Sequence, residues 1–224
     1  MAPPPGTPAA VIFDLDGTLV DTVETRIAAW LSVFEEWRLP ASREFVAPLI
    51  GSDGRRLARV VAERAGKVID DAQAEAIDRR SGEIYERLNS TPRPLAGASD
   101  AIKALERHGI PWAIATSSRR DQLAASIAAL GLATQPRIVD GTHVQHAKPA
   151  PDLLLLAAEQ LRVSPRDCWY VGDSTWDMAA AVAAGMRAIA VTQGSVVDPA
   201  TLREAGATDT LQTLSELAAL LARA

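Results

Sequence analysis

Two carboxylates, Asp14 and Asp16, stand two positions apart at the end of the apolar run A-A-V-I-F, residues 9 to 13. Thr116 and Ser117 follow a second such run, W-A-I-A, and Asp173 and Asp177 follow a third, C-W-Y-V-G. Lys148 lies in H-A-K-P-A-P-D, just ahead of a helical pattern and followed by a proline suited to a first turn. Acids gathered at one place repel one another unless a cation joins them, and hard oxygen ligands with open positions suit Mg²⁺. A lysine and hydroxyls beside such an ion make a site for an oxyanion, phosphate foremost. One carboxylate can attack phosphorus to give an aspartyl-phosphate, while the second gives a proton to the leaving oxygen and later takes one from water. Gly17 lets the chain turn away after the strand, and Thr18 can cap that turn or bond a carboxylate.

These residues converge only if their runs are neighbouring strands. Short runs rich in Val, Ile and aromatics occur at 10–14, 112–116, 137–140, 168–172 and 188–192. Helical patterns separate the later ones: Ala98, Ala101, Ile102 and Leu105 form one stripe closed by His108-Gly109, and P-D-L-L-L-L-A-A-E-Q-L and D-M-A-A-A-V-A-A-G follow suit. Such alternation predicts an α/β fold with a mostly parallel sheet covered on both faces, where ligands bind at the carboxyl edge. Between Thr22 and about Ser90 the period is helical throughout, with Ile27, Trp30, Leu31 and Phe34 on one stripe and Leu57, Val60 and Val61 on a later one. A helical insert is therefore expected after the first strand, with T-P-R-P-L-A-G at 91–97 as its return linker.

In order, D-L-D-G-T-L at 14–19, Thr116, Lys148 in K-P-A-P-D and G-D-S-T-W-D at 172–177 resemble the four motifs of the haloacid dehalogenase superfamily of phosphohydrolases. The resemblance spans about residues 9–195 and is closest to the phosphoglycolate phosphatase and β-phosphoglucomutase-like group. It implies a Rossmann-like core, residues 9–20 and 92–224, carrying a small helical cap, residues 21–91, behind a disordered tail at 1–8. It also implies roles. Asp14 would be nucleophile and metal ligand, and Asp16 the general acid/base with its backbone carbonyl on Mg²⁺. Thr116, the Ser117 amide and Lys148 would hold the phosphoryl group, Asp173 would ligate the metal, and Asp177 would act through a water. The substrate class implied is a small phosphate ester, phosphoglycolate-like or sugar-phosphate-like.

Departures narrow the choice. Hydrolytic dehalogenases lack the second aspartate, so Asp16 argues against dehalogenation. β-Phosphoglucomutases usually carry an acid immediately before the metal-binding Asp of the fourth motif and a histidine on the first cap helix; Gly172 and Arg26 hold those places here, which makes a phosphosugar mutase the weaker reading. Ala147 replaces the glycine frequent before the lysine, a small change.

Other residues divide between site and scaffold. Arg119 lies where relatives present a basic or polar group to substrate, and G-S-D-G-R-R at 51–56 resembles a loop lowered over the site, so Arg55, Arg56 and Arg119 are substrate-contact candidates. Asp21 reads as the N-cap region of the first cap helix, and Ser117 and Ser118 as caps or phosphate-facing groups. His108 suits a helix C-terminus, His143 and His146 a surface loop, and Cys168 a buried strand; Trp176 reads as either pocket wall or prop for the cap.

The chain has 224 residues, 48% of them hydrophobic, enough for a substantial core. Its net charge of −5 with dispersed basic residues excludes a nucleic-acid footprint. A single cysteine excludes an intramolecular disulfide framework, and neither a leader pattern nor a membrane-length apolar run is present. A cytoplasmic protein with no membrane or nucleic-acid partner is expected; oligomeric state is left open.

Overall fold

Ala10–Phe13 form β1, and all four residues are buried. A strand covered on both faces has no polar side to alternate with, which is why A-V-I-F is unbroken. Val11 and Phe13 enter one core, with Ile114, Val171, Leu105 and Leu214. Ala10 and Ile12 enter the opposite one, with Tyr170, Leu153 and Met178. Each fully buried side chain of this size stabilises the fold by about 1.5 to 3 kcal/mol. The computed structural model describes residues 7–221. Residues 1–6 of the expected disordered tail lie outside the described residues; of its last two, Pro8 is buried and Thr7 partly so.

After β1 come β2 (Val20–Asp21), α1 (Val23–Glu36), α2 (Arg43–Val46), α3 (Gly54–Arg64), α4 (Asp71–Leu88) and β3 (Arg93–Pro94). The chain continues through α5 (Ala98–Arg107), β4 (Trp112–Ala115), α6 (Ala124–Ala129), β5 (Arg137–Val139), α7 (Asp152–Leu161) and β6 (Cys168–Gly172). It ends with α8 (Thr175–Ala183), β7 (Arg187–Val191), α9 (Pro199–Glu204), β8 (Asp209–Leu211) and α10 (Leu214–Leu221).

Six strands make one parallel sheet in the order β5-β4-β1-β6-β7-β8. Chain order reverses between β1 and β6, the switch point at which open α/β sheets bind ligands. The fold is therefore the Rossmann-like α/β architecture expected, with β8 an additional edge strand that the sequence pattern did not reveal.

The four helices α1 to α4 have a core of their own, built on Ile27, Trp30, Phe34, Leu57, Val61 and Tyr85. Trp30 stacks on Phe34 with ring centroids 5.4 Å apart. Leu31 and Val60, expected on the apolar stripes, are only half-buried, whereas Arg26 is buried among them. The two strands of chain that connect this insert to the sheet pair with each other: Val20 lies opposite Pro94 and Asp21 opposite Arg93, antiparallel. This short ribbon was not expected, since two residues show no period.

Candidate active site

Asp14 follows β1 and Asp173 follows β6, so adjacency of the two strands places both carboxylates at the switch point. Asp14 Oδ1 accepts from Lys148 Nζ at 2.6 Å, and Oδ2 has no protein donor among the described residues. Asp173 is held through Oδ1 by the Thr18 hydroxyl at 2.9 Å, and its Oδ2 also lacks a donor. Asp177 is used differently. As N3 of α8 it closes a capping box with Ser174, and Oδ2 accepts the Ser174 hydroxyl at 2.5 Å. Its Oδ1 accepts from Lys148 at 2.7 Å and from the Tyr170 hydroxyl at 2.8 Å.

Asp14, Asp173 and Asp177 offer oxygens within 4.8 Å of one another, all three residues being buried. Lys148, itself fully buried, supplies one positive charge against them. Burial pushes the Asp14 carboxyl up to about 7, with Lys148 opposing and Asp177 adding to the rise. Asp173 is raised well above the carboxylate range, first by burial and then by Asp177 and Asp14. Lys148 is raised: burial would lower it, but the two carboxylates prevail. An excess of buried negative charge with two donor-free carboxylate oxygens fits a hard divalent cation. A void of about 10 Å³ touches Asp16, Asp173 and Ser174, and the rest of its wall is mainly apolar, with Val23, Ala47, Ile50, Val196 and Val197.

Glycine makes this packing possible at two points. Gly17 has φ +82°, and a Cβ there would overlap the Asp173 carboxylate. A Cβ on Gly172 would lie 2.5 Å from Asp177 Cγ, so a larger side chain at 172 displaces Asp177.

Asp16 is surrounded by donors. Thr22 Oγ1 (2.6 Å) and the Tyr85 hydroxyl (2.9 Å) bond its Oδ1; Arg26 Nη2 (2.9 Å) and Ser118 Oγ (2.7 Å) bond Oδ2. Burial alone would raise its pKa, but Arg26 and the hydroxyls outweigh burial and hold it below the usual carboxylate value. Arg26 Nη1 donates onward to Gln122 Oε1 at 2.6 Å, and the guanidinium lies 3.3 Å from the Tyr85 ring centroid. Tyr85 accepts in turn from Asn89 Nδ2 at 2.8 Å. These partners come from α1, α4 and the segment after β4, and only long-range folding joins them. Thr22, Tyr85 and Gln122 carry no signal in the sequence, and Arg26 stands out there only as a departure from the histidine of related mutases.

Thr116 is buried beside this cluster, its hydroxyl accepting from the Ser118 amide at 3.2 Å. Ser117 and Ser118 cap no helix; the Ser117 hydroxyl instead donates to Gly51 O on the insert at 3.0 Å. The helix after Lys148 starts at Asp152, with Pro151 rather than Pro149 adjoining it. The N-cap of α1 is Thr22, and Asp21 is exposed in β2.

The three arginines expected at the substrate, Arg55, Arg56 and Arg119, do not contact Asp14 or Asp16. Arg55 pairs with Asp53 at 2.9 Å and Arg56 lies over the Trp176 ring. Arg119 joins Asp78 (2.8 Å) and Glu75 (2.9 Å) of α4. Trp176 props the insert, donating from Nε1 to Pro48 O at 2.9 Å. His143 and His146 are exposed. Cys168 is buried in β6, its thiol pushed up to about 11 by burial and by Asp167, which leaves it unreactive.

Beneath the insert lies a small cavity, with about 50 Å³ for the centres of water molecules, bordered by Asp14, Asp16, Lys148, Thr116, Arg26 and Asp78 among others. Carboxylates, a buried lysine and strand-end hydroxyls around one cavity at this switch point define a haloacid dehalogenase-like hydrolase. Residues 11–191 match that family, and the chain belongs to it. It is 34% identical over 193 residues to phosphoglycolate phosphatase 1 of Pseudomonas aeruginosa, covering 84% of this chain and 70% of that enzyme. It is also 34% identical over 188 residues to a fructose-1-phosphate phosphatase of Escherichia coli, covering 82% and 96% respectively. The crystal structure of a hydrolase from Pseudomonas syringae superposes with a TM-score of 0.90 at 31% identity, over 96% of this chain and 98% of that one.

Proposed function

We propose that this chain is a Mg²⁺-dependent phosphomonoester hydrolase that acts on a small phosphometabolite through an aspartyl-phosphate on Asp14. The observation that carries the reading is the donor-free Asp14 Oδ2, beside a carboxylate oriented by Lys148 on its other oxygen and two residues from a second acid. That oxygen attacks phosphorus in line with the ester oxygen, the P–O bond to the leaving group breaks, and Asp16 delivers the proton the alkoxide needs. Water then attacks the aspartyl-phosphate, Asp16 takes its proton, and phosphate departs.

The resting Asp16 is ionised, the form required for the second half. A phosphate dianion bound beside it raises its proton affinity by like-charge repulsion, so Asp16 takes up a proton from solvent as the substrate binds and gives that proton to the leaving oxygen in the first half. Lys148, the Thr116 hydroxyl and the Ser117 amide would hold the phosphoryl oxygens. Asp14, Asp173 and the Asp16 carbonyl would hold Mg²⁺, with Asp177 acting through a water and orienting Lys148. The ion, when bound, supplies charge neutralisation of the phosphoryl oxygens.

We read α1 to α4, within residues 21–91, as a cap that must open for exchange, since the cavity beneath it has room for few waters. A mutase reading is disfavoured by Gly172, where the packing against Asp177 leaves no space for an acid. No helix among the described residues is long and apolar enough to cross a membrane, and one buried cysteine supports a reducing compartment, the cytoplasm.

The test is phosphate release from a panel of esters with Mg²⁺ and with chelator, using the wild type and Asp14→Asn. Chelator and the substitution should each abolish release while the circular dichroism spectrum of the variant is unchanged. Turnover retained by Asp14→Asn would overturn the nucleophile assignment.

A further inference from the structure

The insert contributes one acid, Asp78, to the wall of the cavity that Asp14, Asp16 and Lys148 also border. Both Arg119 bonds to it, from Nε at 3.0 Å and Nη2 at 2.8 Å, fall on Oδ2. Its Oδ1 accepts no hydrogen bond among the described residues. The carboxylate is seated against the first residue of α3, an 11-residue helix, and a Cβ on Gly54 would overlap Oδ1. Glycine at that point is what lets the acid stand there.

The cations nearby are already matched. Arg26 is paired with Asp16, Arg119 with Asp78 and Glu75, and Lys148 with Asp14 and Asp177. A second anionic group on a substrate would meet Asp78 and find no unmatched cation among these three. A hydroxyl, by contrast, finds an acceptor in Asp78 Oδ1 and further polar partners in Gln122, Ser52 and Ser118, which border the same cavity.

Resting on the phosphatase reading, we infer that Asp78 is a specificity-determining residue. It accepts a hydrogen bond from a leaving-group hydroxyl and repels a carboxylate, so the substrate is the monophosphate of a neutral polyhydroxy compound, a sugar or polyol, and not of a hydroxy acid. Like-charge juxtaposition and a buried acceptor left unpaired both discriminate against the wrong ligand.

A matched pair of esters isolates this effect: glycerol phosphate and 3-phosphoglycerate differ by a hydroxymethyl against a carboxylate. With the Mg²⁺-loaded enzyme, kcat/KM should favour glycerol phosphate by at least roughly tenfold. Asp78→Asn should shrink that ratio, chiefly through a lower KM for 3-phosphoglycerate. Gly54→Ala, which keeps the charge but displaces the carboxylate, is the second variant should the first fold poorly, and it should shrink the ratio as well. A wild-type ratio near unity or inverted, or a ratio unmoved in every folded variant, overturns the inference while leaving the phosphatase reading intact. Absence of Mg²⁺-dependent release from any ester overturns that reading and the inference with it.

Discussion

Arg26 Nη2 sits 2.9 Å from Asp16 Oδ2, with 10% and 8% of the two side chains exposed. The pair joins α1 of the insert to the end of β1, so one contact ties the position of the insert to the ionisation of Asp16.

Replacing Arg26 by Met strands a buried carboxylate and should cost about 3 to 5 kcal/mol of stability at neutral pH. Asp16 has a folded pKa below the ordinary value of 3.8. Its contribution is therefore complete above that value and disappears as pH falls through the lower, folded one. Urea unfolding of wild type and variant should show a gap that closes in acid, and adding Asp16→Asn to the variant should recover part of the loss.

The metal-free protein should lose stability as pH rises from about 4 to about 7. Asp14 is pushed up to about 7 and Asp173 is also raised, whereas unfolded carboxylates titrate near 3.8. Across that window the folded chain binds more protons than the unfolded one, so stability declines with pH. On the proposed reading, Mg²⁺ would take the place of those protons. Melting curves should show a Mg²⁺-dependent rise in Tm that is larger at about pH 7.5 than at about pH 5; the reverse order would contradict the assignment of these carboxylates to the metal.

Two glycine substitutions should part company. In Gly172→Ala the new methyl meets Asp177 at its Cβ and Cγ, atoms fixed by the α8 capping box, and overpacking should cost about 1 to 3 kcal/mol together with most activity. Gly82→Ala on α4 meets the amide end of Gln122, which can rotate away. Its stability change should stay within about 1 kcal/mol, because alanine also favours the helix by about that amount. Moving Gln122 nevertheless breaks its 2.6 Å bond to Arg26, so kcat/KM should fall while Tm holds.

The clustered carboxylates Asp14, Asp173 and Asp177 were legible in the sequence because they follow short apolar runs, and charge at the end of a buried strand demands a reason. Helix and strand alternation implies a parallel sheet, but the pairing of β1 with β6 is a matter of strand order, which the alternation leaves open. Asp16's surroundings were not legible: Tyr85 is 69 positions away and Ser118 is 102, and no local pattern links them. The pairing of Arg119 is hidden for a similar reason, since its partners Glu75 and Asp78 lie on an insert whose placement over the sheet no periodicity describes. Edge strand β8 is three residues long and half-exposed, too short for alternation to register.

The paired ribbon of β2 and β3 brings the entry and exit of the insert to a single point on the sheet edge. A segment whose ends meet is inherited as a unit: exchanging it neither stretches nor reroutes the chain around it. Asp78 and Gly54 travel with that unit, whereas Asp14, Lys148 and Asp173 stay behind. On the proposed reading, choice of substrate and the making of the phosphoenzyme would be written in separable stretches of one polypeptide, free to diverge at different rates.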